Sequence, residues 1–432
     1  MFYYSTNKQS PKVDFKEATI KGQAPDKGLY FPESIPTLPK EFFENITQYS
    51  NEEIAYKVIQ PYVGDSIPEA EMRRIVAETI SFDIPLVQVK DNIYSLELFH
   101  GPTLAFKDIG ARFMSRCLGY FVKEQKQKVI VLVATSGDTG GAVANGFYNV
   151  EGVEVVILYP SGKVSSVQEK QLTTLGNNIH ALEVDGTFDD CQAMVKEIFM
   201  DDEINKKLFL TSANSINVAR WLPQQFYYFF AYKLWADKNN APVVSVPSGN
   251  FGNICAGMMA HASGLPIQHF IAACNANDVV PEFMKTEKYE PKKAVATISN
   301  AMDVGNPSNF VRILEIFQHK FGDLKKVLSS YSISDAQTKE AIKSVKQDYN
   351  YLLDPHGAVG YLALQDYLKT HATEKGMFLE TAHPVKFYDV VEPVINAQVP
   401  IPEIVKSQLL KEKKSRKIGV DTGILKEVLT SI

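Results

Sequence analysis

The sequence predicts an α/β fold built on parallel sheets, and two observations lead to this prediction. From about residue 128 onward, short apolar runs alternate with stretches of helical periodicity. Strands that alternate with helices pair in parallel and are covered by helices on both faces. In addition, three glycine-containing loops each follow a candidate strand, and α/β proteins place their binding sites at strand ends.

The individual elements follow from the local patterns. The runs Leu86–Val89 and Ile93–Phe99 predict a β-hairpin, and Met377–Glu380 predicts a late strand. Residues 285–350 are helical where they are periodic, and the lysine-rich stretch from Leu409 to Lys417 predicts a solvated tail helix. The other candidate strands are Val129–Ala134, Val153–Tyr159, Ala181–Val184, Leu208–Thr211, Val243–Val246 and Phe270–Cys274, with helices between them such as Ser166–Thr173, Cys191–Phe199 and Ala219–Trp235.

Composition narrows the class of protein. The 432 residues carry 45 Lys+Arg against 50 Asp+Glu, a formal charge of −5, which argues against nucleic acid or an anionic membrane as main partner. The apolar runs are far shorter than the roughly 20 residues of a membrane-spanning helix. No secretory signal is visible at the start, and four scattered cysteines indicate free thiols rather than disulfides or a zinc site. We therefore expect a cytoplasmic protein.

The loop Ser248–Asn253 (SGNFGN) predicts a phosphate site. It follows the strand Val243–Val246 and opens a helix, so its backbone N–H groups converge at a helix N-terminus. The alternative is an ordinary glycine-rich strand-to-helix turn. The loop is neither a Walker A nor a dinucleotide-binding sequence.

Two further segments carry candidate chemistry. The turn from Thr135 to Gly141 (TSGDTGG) has small hydroxyl residues at a helix start, which suits a carboxylate ligand or a simple helix cap. In the stretch from His100 to Asp108 (HGPTLAFKD), Lys107 lies between an apolar run and a helix. Partial desolvation would lower its pKa and make it an amine nucleophile, although most lysines are solvated surface groups.

Taken together, these three motifs resemble the threonine synthases, which belong to the tryptophan-synthase-β-like (type II) group of pyridoxal-phosphate enzymes. The segments Gly28–Glu33 (GLYFPE), Ser212–Asn217 (SANSIN) and Thr381–Pro384 (TAHP) extend the resemblance over nearly the whole chain. The resemblance implies two parallel-sheet subdomains plus an N-terminal lobe. We expect the lobe in residues 1–85, a large cofactor-binding domain in 86–127 and 236–432, and a smaller mobile domain in 128–235.

The resemblance also implies roles in holding pyridoxal 5'-phosphate. Lys107 would bind it as a Schiff base and move protons, and Thr381 would be the hydroxyl partner of the pyridine nitrogen, or else a helix cap. Asp138 stands where relatives often carry Asn beside the ring hydroxyl, which resembles the bacterial and fungal branch and requires a proton on one of the two groups. The implied cofactor-binding residues are Lys107, Phe106, Asp138, Gly249, Asn250, Phe251, Gly252, Asn253 and Thr381.

The implied reaction converts O-phospho-L-homoserine and water to L-threonine and phosphate, the last step of threonine biosynthesis. It is carbon–oxygen lyase chemistry and requires no metal. The candidates for the substrate carboxylate are Ser136, Gly137 and Thr139, and those for the substrate phosphate are Asn214, Ser215 and Arg220. Arg220 could instead form a surface salt bridge, while Lys163, Gln168 and Lys170 are weaker candidates on what we expect to be a solvated helix face.

Two alternatives stay open at this point. A phospholyase or deaminase of the same fold would release a keto acid and ammonia, with phosphate from a phosphorylated substrate, and the motifs alone do not separate it from a synthase. A protein that binds the cofactor without catalysis is the alternative of a different class. We expect a small-molecule substrate and a monomer or homodimer.

Overall fold

The computed structural model describes residues 1–123 and 128–432, which contain thirteen strands and twenty α-helices. The strands are β1 (Tyr3–Ser5), β2 (Tyr30–Pro32), β3 (Leu86–Lys90), β4 (Ile93–Glu97), β5 (Val129–Ala134), β6 (Val153–Pro160), β7 (Ile179–Val184), β8 (Phe209–Thr211), β9 (Val243–Pro247), β10 (His269–Cys274), β11 (Leu328–Ser332), β12 (Gly376–Glu380) and β13 (Ser415–Ile418).

The helices alternate with these strands over the middle of the chain. They are α1 (Phe15–Lys21), α2 (Lys40–Glu44), α3 (Asn51–Val63), α4 (Glu69–Thr79), α5 (Lys107–Val122), α6 (Asp138–Phe147), α7 (Ser166–Thr173), α8 (Phe188–Met200), α9 (Asp202–Lys207), α10 (Val218–Trp221), α11 (Gln225–Leu234), α12 (Gly252–Ala262), α13 (Val279–Thr286), α14 (Phe310–Ile316), α15 (Phe321–Val327), α16 (Asp335–Tyr349), α17 (Pro355–Leu368), α18 (Tyr388–Ile395), α19 (Glu403–Leu409) and α20 (Thr422–Ser431).

Two sheets organise the molecule. The larger has the strand order β11-β10-β9-β12-β4-β3, in which β3 pairs antiparallel with β4 and all other pairs are parallel. The smaller has the order β13-β7-β6-β5-β8, with every pair parallel. Central strands such as β5 are buried along their whole length, which explains their unbroken apolar sequence. The predicted α/β fold with parallel sheets is confirmed.

Each sheet has one point at which the strand order reverses. In the smaller sheet the chain runs from β5 outward through β6 and β7, and β8 then pairs on the other side of β5. In the larger sheet it runs from β9 through β10 and β11, and β12 returns to the other side of β9. Loops that leave the carboxyl ends of strands at such a point diverge and leave a crevice. The loops after β5, β8, β9 and β12 are therefore the places to look for a site.

The N-terminal residues pack on helices of the two-sheet body. The strands β1 and β2 pair antiparallel, α4 packs against α5, and α3 packs against α11. Arg312 on α14 is fully buried beneath this part of the chain, where Nη2 donates to the Tyr30 carbonyl at 2.9 Å. Its guanidinium carbon lies 4.3 Å from the centroid of the Trp221 ring. The side chain of one buried arginine thus joins the N-terminal segment to the body.

Two strands differ from the sequence expectations. The strand β13 lies in the stretch expected to be a tail helix and in the range assigned to the large domain, yet it pairs with β7 in the smaller sheet. Its sequence, with Arg416 and Lys417, has the charged character of an edge strand and no apolar alternation. The strand β11 lies in a range expected to be helical.

The predicted domain boundary after residue 127 adjoins residues 124–127, which lie outside the described residues.

All four cysteines are buried and free, which confirms the expectation of free thiols.

No helix in residues 1–123 and 128–432 is both long and apolar enough to cross a membrane.

The start of α17 gives a test of how tightly the crevice end of β12 is packed. A Cβ on Gly357 would overlap the carboxylate of Glu380, which is fully buried and whose Oε1 accepts the Asp354 N–H at 2.6 Å. Because Glu380 cannot move into solvent, Gly357→Ala should lower the free energy of unfolding by about 1–3 kcal/mol. Gly322→Ala, in the first turn of α15 with open space around it, should be neutral or slightly stabilising. Equal unfolding midpoints for the two variants in denaturant would contradict this packing.

Candidate active site

Lys107 begins α5, directly after a loop that is pinned to the end of β12. The Phe106 N–H donates to the Thr381 carbonyl at 2.9 Å, and the His383 N–H donates to the Leu104 carbonyl at 3.1 Å. The loop turns at Leu104, whose φ is +56°, an unusual value for a branched side chain. These bonds hold Lys107 against the carboxyl end of β12, in the crevice that the strand order predicts.

The environment of Lys107 favours a neutral amine. Burial lowers the pKa of Lys107; the carboxylate of Asp138 acts in the opposite direction, whereas the cationic groups of Lys386 and Arg220 lower the pKa further. The Phe106 ring lies beside it, with its centroid 5.6 Å from Nζ. A desolvated amine near other cations is suited to act as a nucleophile or base near neutral pH.

The turn after β5 is shaped by a buried hydroxyl. Thr135 Oγ1 accepts the N–H groups of Gly137 at 3.0 Å and Gly140 at 2.8 Å. Gly137 has a φ of +140°, and a Cβ there would lie 2.6 Å from the Gln168 side chain, so glycine is required. Ser136 and Thr139 are partly buried on the same turn. The turn leads into the ten-residue helix α6, whose N-terminus attracts negative charge.

Asp138, the first residue of α6, is buried and held from two sides. Its Oδ1 accepts the ammonium of Lys386 at 2.8 Å and the side-chain amide of Gln168 at 2.9 Å. Burial alone would raise the pKa of Asp138, but the ammonium groups of Lys386 and Lys107 hold it well below its usual value. Asp138 is therefore an ionised carboxylate that faces Lys107.

The glycine loop after β9 forms an anion cradle of backbone groups. Phe251 adopts a left-handed conformation with φ +61°, and its ring packs against Phe310 at 5.5 Å between centroids. A Cβ on Gly249 would lie 2.8 Å from the Cα of Met302, so the loop can follow this path only with glycine there. Helix α12 then begins at Gly252, and the N–H groups of its first turn have no partner within the helix. They are available to a phosphate.

The side chains of the asparagines in this loop serve the scaffold. Asn250 Oδ1 accepts the Ser308 hydroxyl at 3.2 Å, and Asn253 Oδ1 accepts the hydroxyls of Tyr227 at 2.8 Å and Tyr228 at 2.7 Å. These bonds engage the two side-chain oxygens, so that the backbone N–H groups of the loop are left to contribute to a phosphate site.

Arg220 is the clearest unsatisfied group near the crevice. It lies on α10, after β8, and its side chain is only 3% exposed, yet its Nε and Nη1 atoms have no hydrogen-bond partner. Burial lowers its pKa to about 10, so it is still charged at neutral pH. Gly110 on α5 lets the two helices approach, since a Cβ there would lie 2.5 Å from the Arg220 carbonyl. A buried guanidinium with two free donor atoms is suited to bind an anion.

The other two predicted phosphate ligands lie elsewhere around the same loop. Ser215 is placed next to the glycine cradle: its Oγ accepts the Asn309 amide at 3.1 Å, and its Cβ is 3.4 Å from where a Cβ of Gly252 would be. Asn214 is partly buried, and its carbonyl accepts the Asn217 N–H at 3.1 Å. Lys107, Asp138 and Arg220 therefore form one electrostatic group, while Ser215 belongs with the loop after β9.

These residues fit pyridoxal 5'-phosphate. The cradle at α12 offers unpaired N–H groups for its phosphate, and Lys107 offers an amine for its aldehyde. Thr381 directly follows the strand β12. Thr381 does not cap the next turn; that role belongs to His383, whose Nδ1 accepts the Val385 N–H at 3.1 Å. Among the described residues no cluster of three or more His, Cys, Asp or Glu side chains could hold a metal ion.

Family models match three consecutive parts of the chain. They are described as threonine synthase N terminus at residues 2–80, pyridoxal-phosphate dependent enzyme at 82–379, and threonine synthase, C-terminal, at 357–429. The threonine synthase of Haemophilus influenzae is 45% identical over 404 residues, which is 93% of either chain. The chain belongs to the threonine synthase family. It is accordingly a pyridoxal-phosphate-dependent lyase, as the sequence motifs indicated.

Solved structures of threonine synthases agree with this family assignment. The threonine synthase of Escherichia coli matches with a TM-score of 0.92 and 40% identity over all of both chains. A pyridoxal-phosphate-bound threonine synthase of Brucella melitensis matches with a TM-score of 0.95 and 34% identity over 100% of this chain and 99% of that one. The threonine synthase fold expected from the sequence, with its pyridoxal-phosphate cofactor, is confirmed.

Sequence reasoning missed Lys386 and misplaced Gln168. Lys386 is fully buried in the short turn Pro384–Phe387. The sequence gives little sign of this burial, because lysine is usually a solvated residue. Gln168 was expected on a solvated face, yet it is buried and bonded to Asp138. The sequence signal for Gln168 is its capping box with Ser165, which fixes it at the start of α7 and turns its side chain inward.

The close approach of Gly249 to the segment around Met302 makes the cofactor cradle testable. Gly249→Ala should displace the loop and weaken binding of pyridoxal 5'-phosphate by about tenfold or more, because small misplacements of binding groups are costly. Gly419→Ala, at a position with open space around it, is the control and should bind the cofactor normally. The measurement is the dissociation constant from a fluorescence titration of cofactor-free protein. Equal affinity in the two variants would show that the cradle does not hold the cofactor.

Proposed function

We propose that this threonine synthase family member converts O-phospho-L-homoserine and water to L-threonine and phosphate, and that Arg220 binds the phosphate of the substrate. The observation that supports this substrate most strongly is the buried guanidinium of Arg220 with its two unpartnered nitrogens. The cradle at α12 is already suited to the cofactor phosphate. A second cationic group, electrostatically coupled to Lys107, is what a phosphorylated substrate requires.

The reaction chemistry divides between cofactor and protein. Bound pyridoxal 5'-phosphate supplies an electron sink for negative charge that develops on the substrate carbon chain. The amine of Lys107 takes the proton from Cα, a role that burial favours because it lowers the pKa of Lys107. A second proton leaves Cβ, and phosphate leaves from Cγ with the electrons of its C–O bond, while the guanidinium of Arg220 stabilises the charge that accumulates on it. The hydroxyl of water then adds at Cβ, the other proton of that water goes to the released phosphate, and the protons taken from Cα and Cβ return to Cα and Cγ.

The turn after β5 orients the substrate. We assign the substrate carboxylate to the hydroxyls of Ser136 and Thr139 and the N–H of Gly137, where the N-terminus of α6 adds positive potential. Thr135 holds this turn in shape through its two hydrogen bonds with backbone N–H groups. The carboxylate would thus lie on the smaller sheet, opposite Lys107 on the larger one.

Three further residues orient the cofactor. We assign the pyridine nitrogen to the hydroxyl of Thr381, which is 6% exposed at the end of β12. A neutral hydroxyl leaves that nitrogen unprotonated, in contrast to an aspartate partner. Asp138 would face the ring hydroxyl, and Phe106 would lie beside the lysine-bound end of the cofactor.

Bonds between the two sheets would help to keep water away from the reacting carbons. Gln171 on α7 donates to the Thr103 carbonyl at 3.1 Å, and the ammonium of Lys386 lies 2.8 Å from Asp138 Oδ1. A closed crevice protects a carbanion from unwanted protonation until the hydration step.

The four free thiols fit a reducing compartment and support a cytoplasmic location.

The product assay separates a synthase from a phospholyase. Cofactor-loaded protein mixed with O-phospho-L-homoserine should release threonine and phosphate in equal amounts, with no keto acid or ammonia. Lys107→Ala, which loses the amine, should reduce turnover to background while its far-ultraviolet circular dichroism stays unchanged. Phosphate released together with keto acid and ammonia would assign the chain to the phospholyase reaction instead.

Arg220→Gln tests the second anion site. Loss of the charged donors should lower kcat/KM for O-phospho-L-homoserine by on the order of 100-fold, because hydrogen bonds to charged groups are among the strongest in proteins. The cofactor absorbance should be unchanged. Arg112→Gln is the control: Arg112 lies on α5, and its guanidinium is already engaged, since Nε donates to the Glu78 carbonyl at 3.0 Å. Equal losses in both variants, or none in Arg220→Gln, would contradict the assignment.

A further inference from the structure

Lys386 is a fully buried lysine whose function the reaction outlined above does not specify. Its Nζ donates to Asp138 Oδ1 at 2.8 Å and to the Thr103 carbonyl at 2.7 Å. Lys386 follows β12 and Thr103 follows β4, both in the larger sheet, whereas Asp138 follows β5 in the smaller sheet. The ammonium therefore joins the two walls of the crevice at the level of Lys107.

A lysine is rarely buried unless a charged partner compensates for its lost hydration. Here the partner is a single carboxylate that also carries a hydrogen bond from Gln168 and lies at the N-terminus of α6. These three interactions fix both the direction and the charge of Asp138. A simple structural tie between the walls would need no charge, since a neutral donor can bond to Asp138 Oδ1, as the Gln168 amide does.

Other titratable groups near Lys107 and this pair lie on α5, on α10 and just before Lys386. Lys107 and Asp108 come from α5, Arg220 from α10, and His383 from the segment just before Lys386. Burial lowers the pKa of His383 to about 4, so it is neutral near pH 7. Asp108 accepts the N–H of Thr103 at 2.9 Å and its hydroxyl at 2.5 Å, so both its oxygens are bonded, and it interacts with Lys386 through charge alone.

We infer that Lys386 is a positioning residue, which holds Asp138 as an oriented carboxylate and whose own positive charge sets the pH at which the cofactor bound to Lys107 titrates. Removing this charge favours the protonated form of every neighbouring group. The midpoint of the titration should therefore move to higher pH when Lys386 loses its charge. A change of packing alone has no such fixed direction.

The test is a pH titration of the absorbance of the cofactor-loaded protein. In Lys386→Met the midpoint should rise by about one pH unit, the size expected for loss of a nearby charge. In Lys386→Arg, which keeps the charge, it should stay near the wild-type value. Lys413→Met is the matched control, because Lys413 pairs with Glu169 and Glu183 at 2.6 Å in the same C-terminal part of the chain. An unshifted midpoint in Lys386→Met, or equal shifts in the methionine and arginine variants, would overturn the inference.

A second comparison covers the case in which Lys386→Met does not fold with an unpaired Asp138. The double variant Lys386→Met/Asp138→Asn removes both charges of the pair, and its midpoint should lie about one pH unit above that of Asp138→Asn alone. Identical midpoints would again overturn the inference.

Because this inference rests on the proposed role of Lys107, the wild-type protein is also reduced with borohydride and its peptides are mapped by mass spectrometry. Cofactor attached to another residue would contradict the role of Lys107. Cofactor attached to Lys107 together with an unshifted midpoint would contradict only the role of Lys386.

Discussion

An excess of buried positive charge is the constraint on which the site depends. Lys107, Arg220 and Lys386 are close enough to influence one another, and they face at most two negative charges, those of Asp138 and Asp108. Charges inside a protein are stable only when they are paired or bonded. Asp138 pairs with Lys386, which leaves Arg220 with unused donors and Lys107 with a weakened hold on its proton. The anionic ligands proposed above would complete this arrangement.

The fold supplies the geometry that this charge balance needs. Both sheets reverse their strand order once, and the loops that leave the reversal points carry the turn of Asp138, the segment of Arg220, the glycine cradle and Thr381. The cradle lies at a helix N-terminus, which binds phosphate through backbone N–H groups and needs no charged side chain to do so. The cationic side chains therefore remain available for chemistry.

The sequence was sufficient to predict the strands of the central sheets and the three loops at the crevice. The run Val129–Ala134 is apolar because both its faces are buried, and glycines mark where the backbone turns tightly, as at Gly137. The sequence was not sufficient to predict contacts between distant segments. Lys386 is 248 positions from Asp138, and no local pattern shows that the two form a buried pair. The strand β13 was missed because an edge strand with charged side chains lacks the apolar alternation of an internal one.

The account is tested most directly by a crystal structure of the cofactor-loaded protein with an unreactive phosphonate analogue of O-phospho-L-homoserine. We expect two separate phosphorus-containing groups: the cofactor phosphate at the N-terminus of α12, and the phosphonate within hydrogen-bond distance of the Arg220 guanidinium. A phosphonate bound away from Arg220, with that guanidinium still unpaired, would contradict the claim that buried surplus charge selects the substrate.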